Sequence, residues 1–294
     1  MRTLLFLQTN SIASKETIEY IMALAKDLNA NLKFAHIHYP DILYTASLAT
    51  NMELFQTPNE QHNYTALEIE RTEAYMQQLK KEGKVDKEVN FEYFTGVPEV
   101  ILKSKLINGE FDMLAIQNDS RVNSINPYQP LKNIIKNINC PIWVIPESEY
   151  KGVERSLYTT DYQEEDVKCT ELLLDMLPQL RQITFIHLTD HLDFLQKIKV
   201  AGFRTYVRQK TSFLNIESLA IPTHEKRSIP EYIQEALTEK GGSFIVALKE
   251  NKNLFQQVFY RSFTTKLLKG LNELILIMHA QDFMAGEEKN QEEL

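Results

Sequence analysis

The sequence is poor in cysteine and glycine and lacks any long hydrophobic run. Only two of its 294 residues are cysteine and nine are glycine. Cys140 and Cys169 are far apart, form no CxxC pair and lie in periodic apolar segments, so we expect buried, reduced thiols and no disulfide. The apolar run at residues 4–7 is too short for a secretory signal, and no later run has the length that a membrane span needs. We therefore expect a cytoplasmic protein.

The chain also lacks an excess of positive charge and the common catalytic motifs. Its formal net charge is −8, so it lacks the net positive charge that would attract nucleic acid or an anionic membrane surface. We expect neither as a partner. The sequence contains no GxSxG, GxxxxGK[ST] or HExxH pattern, so an enzymatic function has little support.

What the sequence does contain is an internal repeat. At 294 residues and 43% apolar content it can form two hydrophobic cores. Four segments recur in the same order. The pairs are Asn31–His38 with Gln182–Leu188, Gly96–Leu102 with Ser228–Gln234, Phe111–Ile116 with Ser243–Leu248, and Pro141–Ile145 with Glu273–Ile277. The repeat predicts one domain at residues 1–148 and another at 149–285, with an insertion at 39–63 and a disordered acidic tail at 286–294.

Apolar, strand-like runs alternate with segments of helical periodicity in both halves. The predicted helices are 14–28, 64–81, 98–106, 131–137, 164–177, 192–200, 230–240 and 254–268. Pro98 and Pro230, each followed by a glutamate, are placed for first helical turns. Such alternation predicts an α/β fold in which helices cover both faces of a parallel sheet.

The order of these elements resembles the universal stress protein family over nearly the whole chain, twice. Residues 9–15 look like the family's opening Asp-Phe-Ser-x-Ala-Ser-Lys pattern, with Thr9 in place of the acid, and Asp161 keeps that acid in the second copy. Residues 139–146 resemble its final strand. The resemblance implies two tandem open five-stranded parallel sheets of order 3-2-1-4-5, Rossmann-like (adenine nucleotide alpha hydrolase-like), packed as an intramolecular pseudo-dimer. Association of two chains into a homodimer stays open.

In such open sheets a ligand crevice lies at the switch point, here between strands one and four of each copy. ATP-binding family members carry Gly-x2-Gly-x9-Gly-Ser/Thr after strand four, because glycine lets the backbone approach phosphate. In the second copy Leu248, Asn251 and Arg261 stand at the glycine positions, while Ser262 keeps the hydroxyl. In the first copy the corresponding residues are Gln117, Ser120, Tyr128 and Gln129. We therefore expect neither copy to bind ATP in the usual way, and we expect no other cofactor.

The candidate nucleotide-contacting residues are Asp161, Asn251, Arg261 and Ser262. Asp161 has two interpretations: a contact to adenine or ribose, or an N-cap of the following helix, and the cap is favoured. Arg261 and Ser262 either hold an anion at a helix start or are a solvated side chain and an N-cap.

These features favour a non-enzymatic stress-response binding or regulatory protein, whose protein or small-molecule partner the sequence does not identify. The alternative is an ATP- or AMP-binding switch, or a weak ATPase, that uses the second domain. A weaker third hypothesis is a hydrolase that uses Asp161, His187 and Ser262.

Three further patterns lead to structural expectations. His36 and His187 are predicted to be packed, hydrogen-bonded core residues; a metal pair of His36 and His38 has no third ligand, so no metal is expected. The stripe of Phe255, Phe259 and Phe263 is predicted to be core or interface. The last strands, Ile142–Ile145 and Leu274–Met278, are expected at the contact between the halves, since each ends its domain with an apolar edge.

Overall fold

The computed structural model describes residues 1–9, 13–38, 70–82 without 72, 90–117, 128–223, 227–249 and 266–279. The first half contains β1 Thr3–Thr9, α1 Lys15–Asp27, β2 Asn31–His38, α2 at 73–81, β3 Asn90–Thr95, α3 Pro98–Ile107, β4 Met113–Gln117, α4 Tyr128–Asn137 and β5 Ile142–Ile145. The second half contains β6 Arg155–Thr159, α5 Glu164–Met176, β7 Gln182–Thr189, α6 Phe194–Thr211, β8 Ile216–Pro222, α7 Ile229–Lys240, β9 Phe244–Lys249, α8 at 266–270 and β10 Ile275–His279.

The ten strands form one continuous sheet in the order β3-β2-β1-β4-β5-β10-β9-β6-β7-β8. Within each half the pairing is parallel and follows the predicted order 3-2-1-4-5. The expectation of two separate five-stranded sheets is wrong. β5 and β10 pair antiparallel and join the halves edge to edge, because this pairing satisfies the backbone groups that an unpaired last strand would leave exposed on each half.

The junction between β5 and β10 is entirely apolar in its paired residues. Ile277 lies opposite Ile142, Leu276 opposite Trp143 and Ile275 opposite Val144. All these side chains are buried. The expectation that the two last strands lie together is thus confirmed.

Two hydrophobic layers cover the sheet, one on each face, and each layer runs through both halves. α1, α2, α5 and α6 contribute to one layer, and α3, α4, α7 and α8 contribute to the other. Cys140 and Cys169 are both buried in these layers and form no disulfide. No helix among the described residues has the length and hydrophobicity to cross a membrane.

Helix starts follow the sequence signals closely. Pro98 and Pro230 lie in the first turns of α3 and α7, as predicted. The Ser228 amide donates to the Glu231 side chain at 2.9 Å, which completes a capping box.

Two predicted helix boundaries are wrong: α4 begins at Tyr128, before the predicted residue 131, and α6 continues to Thr211, well beyond residue 200. Phe203 and Val207 extend its buried stripe, whereas Gly202, just before Phe203, weakens the helical signal. The predicted insertion at 39–63, the phenylalanine stripe at 255–263 and the acidic tail at 286–294 lie outside the described residues.

Trp143→Ala tests how much the junction contributes to stability. Trp143 is fully buried in β5, with its ring centroid 5.6 Å from that of Phe244 in the other half. Truncation leaves a cavity between the halves, so we expect the free energy of unfolding to fall by about 3–5 kcal/mol. Urea denaturation followed by circular dichroism measures the change. Ile107→Ala, at a side chain that is 75% exposed, is the control and should stay within about 0.5 kcal/mol of wild type. Equal effects of the two changes would contradict a packed junction.

Candidate functional site

In the second half the switch point, where a ligand crevice is expected, lies between β6 and β9. Hydrogen bonds fix the shape of the turn that follows β6. The Thr160 hydroxyl donates to the Asp166 carboxylate at 2.7 Å and accepts from the Tyr162 amide at 2.8 Å. The same carboxylate oxygen of Asp166 accepts from the Gln163 amide at 2.9 Å. Asp166 is almost completely buried, so these bonds replace the water that its charge loses.

Asp161 does not cap the helix, and the favoured interpretation of it is wrong. Gln163 occupies the N-cap position of α5, and Asp166 supplies the carboxylate of the capping box. Asp161 instead lies beside β7, with its Oδ1 3.4 Å from Nδ1 of His187. Its side chain is 42% exposed. The sequence signal for the true cap is Asp166, because a capping box has a polar side chain three positions after the N-cap.

His187 is packed and hydrogen-bonded, as predicted. Its Nδ1 donates to the backbone carbonyl of Thr160 at 2.9 Å, and the side chain is only 13% exposed. The hydrogen bond to Asp161 raises the pKa of His187, the bond to Thr160 adds to this rise, and burial and the nearby Lys199 oppose it. The ring therefore favours its protonated form more than a histidine in water does. His36, the equivalent residue of the first half, is also buried.

Tyr162 was not identified from the sequence, yet it is central to this edge of the sheet. Its backbone is left-handed, with φ of 60°, which is uncommon for a residue other than glycine. The ring centroid lies 5.0 Å from those of His187 and Phe203. Its hydroxyl donates to the Leu219 carbonyl of β8 at 3.2 Å, and burial raises its pKa. Tyr162 thus connects the turn after β6 to β7, β8 and α6.

Helix α6 contributes a cation to the same turn. The Lys199 ammonium donates to the Asp161 carbonyl at 3.3 Å and lies 5.8 Å from the centroid of the Tyr162 ring. The polar groups after β6 are therefore engaged mainly with one another and with α6.

On the other side of the switch point, the end of β9 is bound to the first half of the chain. The Lys249 ammonium donates to the carbonyls of Ile135 and Lys136 at 2.7 and 2.8 Å. These carbonyls lie in the last turn of α4, where a cation is favourable. Nδ1 of His279 lies 3.5 Å from the same ammonium. Burial, with the charge of Lys249 adding to it, lowers the pKa of His279 to about 3.

The structure places only part of the predicted nucleotide frame. Leu248 lies inside β9, buried and paired with Met278. Asn251, Arg261 and Ser262, together with Ser120 of the first copy, lie outside the described residues. Thr9 and Gln117 end β1 and β4, and Tyr128 and Gln129 lie in the first turn of α4. Across the part of the chain that the structure describes, no group of three or more His, Cys, Asp or Glu side chains is arranged to hold a metal ion.

Comparison with solved structures identifies the class of fold. A universal stress protein from Archaeoglobus fulgidus superposes with a TM-score of 0.63 at 10% identity, over 94% of this chain and 96% of that one. A protein from Pseudomonas aeruginosa UCBPP-PA14, assigned as a universal stress protein, gives a TM-score of 0.59 at 11% identity, over 98% and 96%. A functionally unknown protein from Pseudomonas aeruginosa PAO1 gives 0.57 at 11% identity, over 99% and 97%. No protein-family model and no curated protein matches the chain.

The chain therefore has a universal-stress-protein-like fold, and the predicted resemblance is confirmed at that level. These neighbours match almost the full length of the chain, so both halves take part in the similarity. At identities near 10% the similarity concerns the fold.

Asp161→Asn tests the pairing with His187. Removing the carboxylate should lower the pKa of His187, and NMR titration of the imidazole resonances measures it. Because the pKa is raised in the folded chain, the pairing stabilises the fold below the unfolded value of about 6.5 and this contribution is lost as pH rises through the folded pKa. The variant should therefore lose more stability at about pH 5.5 than at about pH 8.5.

Glu171→Gln is the matched control, since it removes one exposed carboxylate from α5. It should leave the pKa of His187 near its wild-type value. An unchanged His187 titration in Asp161→Asn would show that the two side chains do not interact in solution.

Proposed function

We propose that the chain is a non-enzymatic, cytoplasmic binding or regulatory protein of the universal stress type, which acts in a stress response without ATP or another cofactor. The observation that carries this proposal is the hydrogen bonding after β6. Thr160, Asp166 and His187 bind groups of the same chain at 2.7–2.9 Å. Such groups offer little to a nucleotide, because a ligand must replace bonds that already exist.

The β9 side of the switch point supports the same proposal. Leu248 stands where ATP-binding relatives carry glycine, and its side chain belongs to the hydrophobic core. A glycine there would remove a packed side chain from β9. Lys249, the next residue and a cation with the right charge for a phosphate, is committed to the end of α4.

The two halves are proposed to act as an intramolecular pseudo-dimer. Equivalent last strands pair antiparallel, which is the arrangement that a local twofold axis produces in a symmetric dimer. Hydrogen bonds elsewhere add to this contact: the Tyr150 hydroxyl donates to Asp27 at 2.7 Å, and the Glu147 amide donates to the Asn272 side chain at 3.0 Å.

The alternative function is an ATP- or AMP-binding switch, or weak ATPase, in the second half. Its support is the partial exposure of the Asp161 side chain at the end of β6. The hydrolase hypothesis gains one observation, because Asp161 and His187 lie 3.4 Å apart. Its third member, Ser262, lies outside the described residues.

Calorimetry separates the proposal from the alternative. Titration of the purified chain with ATP and with AMP should give no binding heat up to about 1 mM ligand. Any binding free energy would then be weaker than about −4 kcal/mol. A companion assay should detect no phosphate release from ATP and no hydrolysis of a panel of esters above background.

If binding or catalysis is detected, Asp161→Ala tests whether it occurs at the end of β6. Micromolar binding of one ATP per chain, weakened in this variant, would replace the proposal by the nucleotide switch. Catalysis that is lost in the same variant would replace it by the hydrolase.

A further inference from the structure

Helix α6 has a second apolar surface that points away from the sheet. Phe203 and Val207 are its buried residues, whereas Phe194, Ile198 and Tyr206 are 74%, 52% and 43% exposed. With Gly202, these three residues recur at intervals of four and form one ridge of the i±4n type. We call Phe194, Ile198, Gly202 and Tyr206 the outer ridge. Leu195, also exposed, lies beside it.

Gly202 forms a gap in the middle of the outer ridge that the fold itself does not require. Its backbone is ordinary helix, and a Cβ built on it would meet no atom within 4 Å. Alanine would therefore fit here, and glycine in an exposed helix interior costs about 0.5–1 kcal/mol relative to alanine. A gap between large side chains on a ridge is where the ridge of a second helix can cross closely.

The charged side chains of α6 itself are all of one sign. Residues 194–211 contain the cations Lys197, Lys199, Arg204, Arg208 and Lys210 and no carboxylate. By the helical period, Lys197 lies beside the outer ridge on one side and Lys199 on the other. Lys210 continues the ridge at its C-terminal end, whereas Arg204 lies on the opposite side of the helix.

The cations next to the outer ridge are largely available to a partner. Lys197 and Lys210 are exposed, and neither forms an ion pair within the described residues. The Lys210 ammonium lies 5.7 Å from the centroid of the Tyr206 ring, and so stays next to the outer ridge. The nearest aspartates in the chain are already engaged. Asp193 accepts from the Gln196 amide at 2.8 Å as the N-cap, and Asp190 accepts from the Thr223 hydroxyl at 3.0 Å.

We propose that the outer ridge of α6 docks an amphipathic helix of a partner protein whose apolar stripe is flanked by carboxylates. Self-association through this face would bring like charges together, which is unfavourable. A lipid surface fits less well, because insertion needs large apolar side chains along the helix, whereas the centre of the ridge is Gly202. This inference goes beyond the proposed function and does not depend on the crevice.

The probe is a designed, fluorescently labelled helical peptide of about three heptads. Leucine recurs at alternating intervals of three and four residues, and glutamate occupies the positions that flank this stripe. A matched peptide has lysine in place of every glutamate. Fluorescence anisotropy with the full-length chain should show that the acidic peptide binds and that the basic peptide does not. Raising the salt concentration should weaken the binding.

Two variants locate the binding on the outer ridge. Gly202→Leu fills the gap, so the affinity for the acidic peptide should fall by about tenfold or more. Its control is Thr238→Leu, which adds similar bulk at an exposed position of α7 on the opposite face of the sheet. Lys197→Glu combined with Lys210→Glu should weaken binding as strongly, whereas Lys26→Glu combined with Lys103→Glu, at exposed lysines of α1 and α3, should not. Circular dichroism verifies that each variant is folded.

Several results would overturn the proposal. One is the absence of binding of the acidic peptide at about 0.1 mM. Another is equal binding of both peptides, or equal affinity of Gly202→Leu and Thr238→Leu. If the chain sediments with phosphatidylcholine–phosphatidylserine vesicles but does not bind the peptide, the outer ridge would be a membrane-binding surface. Concentration-dependent dimerisation that Phe194→Ser abolishes would assign it to a second copy of the chain.

Discussion

The antiparallel pairing of β5 with β10 is the contact on which the arrangement of the two halves depends. An open five-stranded sheet ending in an apolar strand leaves unpaired backbone groups and hydrophobic side chains at that edge. Pairing the last strands of the two halves removes both problems at once. It also makes each hydrophobic layer continuous across the chain, so that the two halves share their cores.

The junction has a consequence for the second half's crevice. Because β10 runs antiparallel to β5, its end and that of β9 lie near the last turn of α4. Lys249 can therefore bind the carbonyls of Ile135 and Lys136. The β9 side of the switch point is thus held by the first half. The opposite side is held by the turn of Thr160 and Tyr162, which α6 supports through Lys199. Polar groups that could meet a ligand are in large part used to hold the fold.

The elements that rest on local patterns could be predicted from the sequence. Apolar runs indicated the strands, and the prolines at positions 98 and 230 indicated two helix starts, because these signals act over a few residues. The adjacency of the last strands followed from their apolar edges. Whether those edges would be covered by face packing or by strand pairing is a long-range choice, and no local pattern determines it.

The candidate site was predictable only in part for the same reason. Asp161 was identified as a residue of interest, but its contact is with His187, which is distant in sequence. The left-handed turn at Tyr162 carries no glycine or asparagine to indicate it. The bonds of Lys249 to α4 join two repeats, and a repeat pattern describes each copy alone. Side chains that connect elements far apart in sequence are visible only once the fold is known.

Native-state hydrogen exchange of the β5 and β10 amides tests most directly whether the junction makes the two halves one unit. If the strands pair as described, the hydrogen-bonded amides at this junction should exchange only by global unfolding, with the same free energy and denaturant dependence as the protected amides of β1 and β6. Exchange of β5 and β10 through an opening of much lower free energy, while β1 and β6 stay protected, would show that the halves separate readily. That result would contradict the claim that pairing of the last strands holds the two halves together.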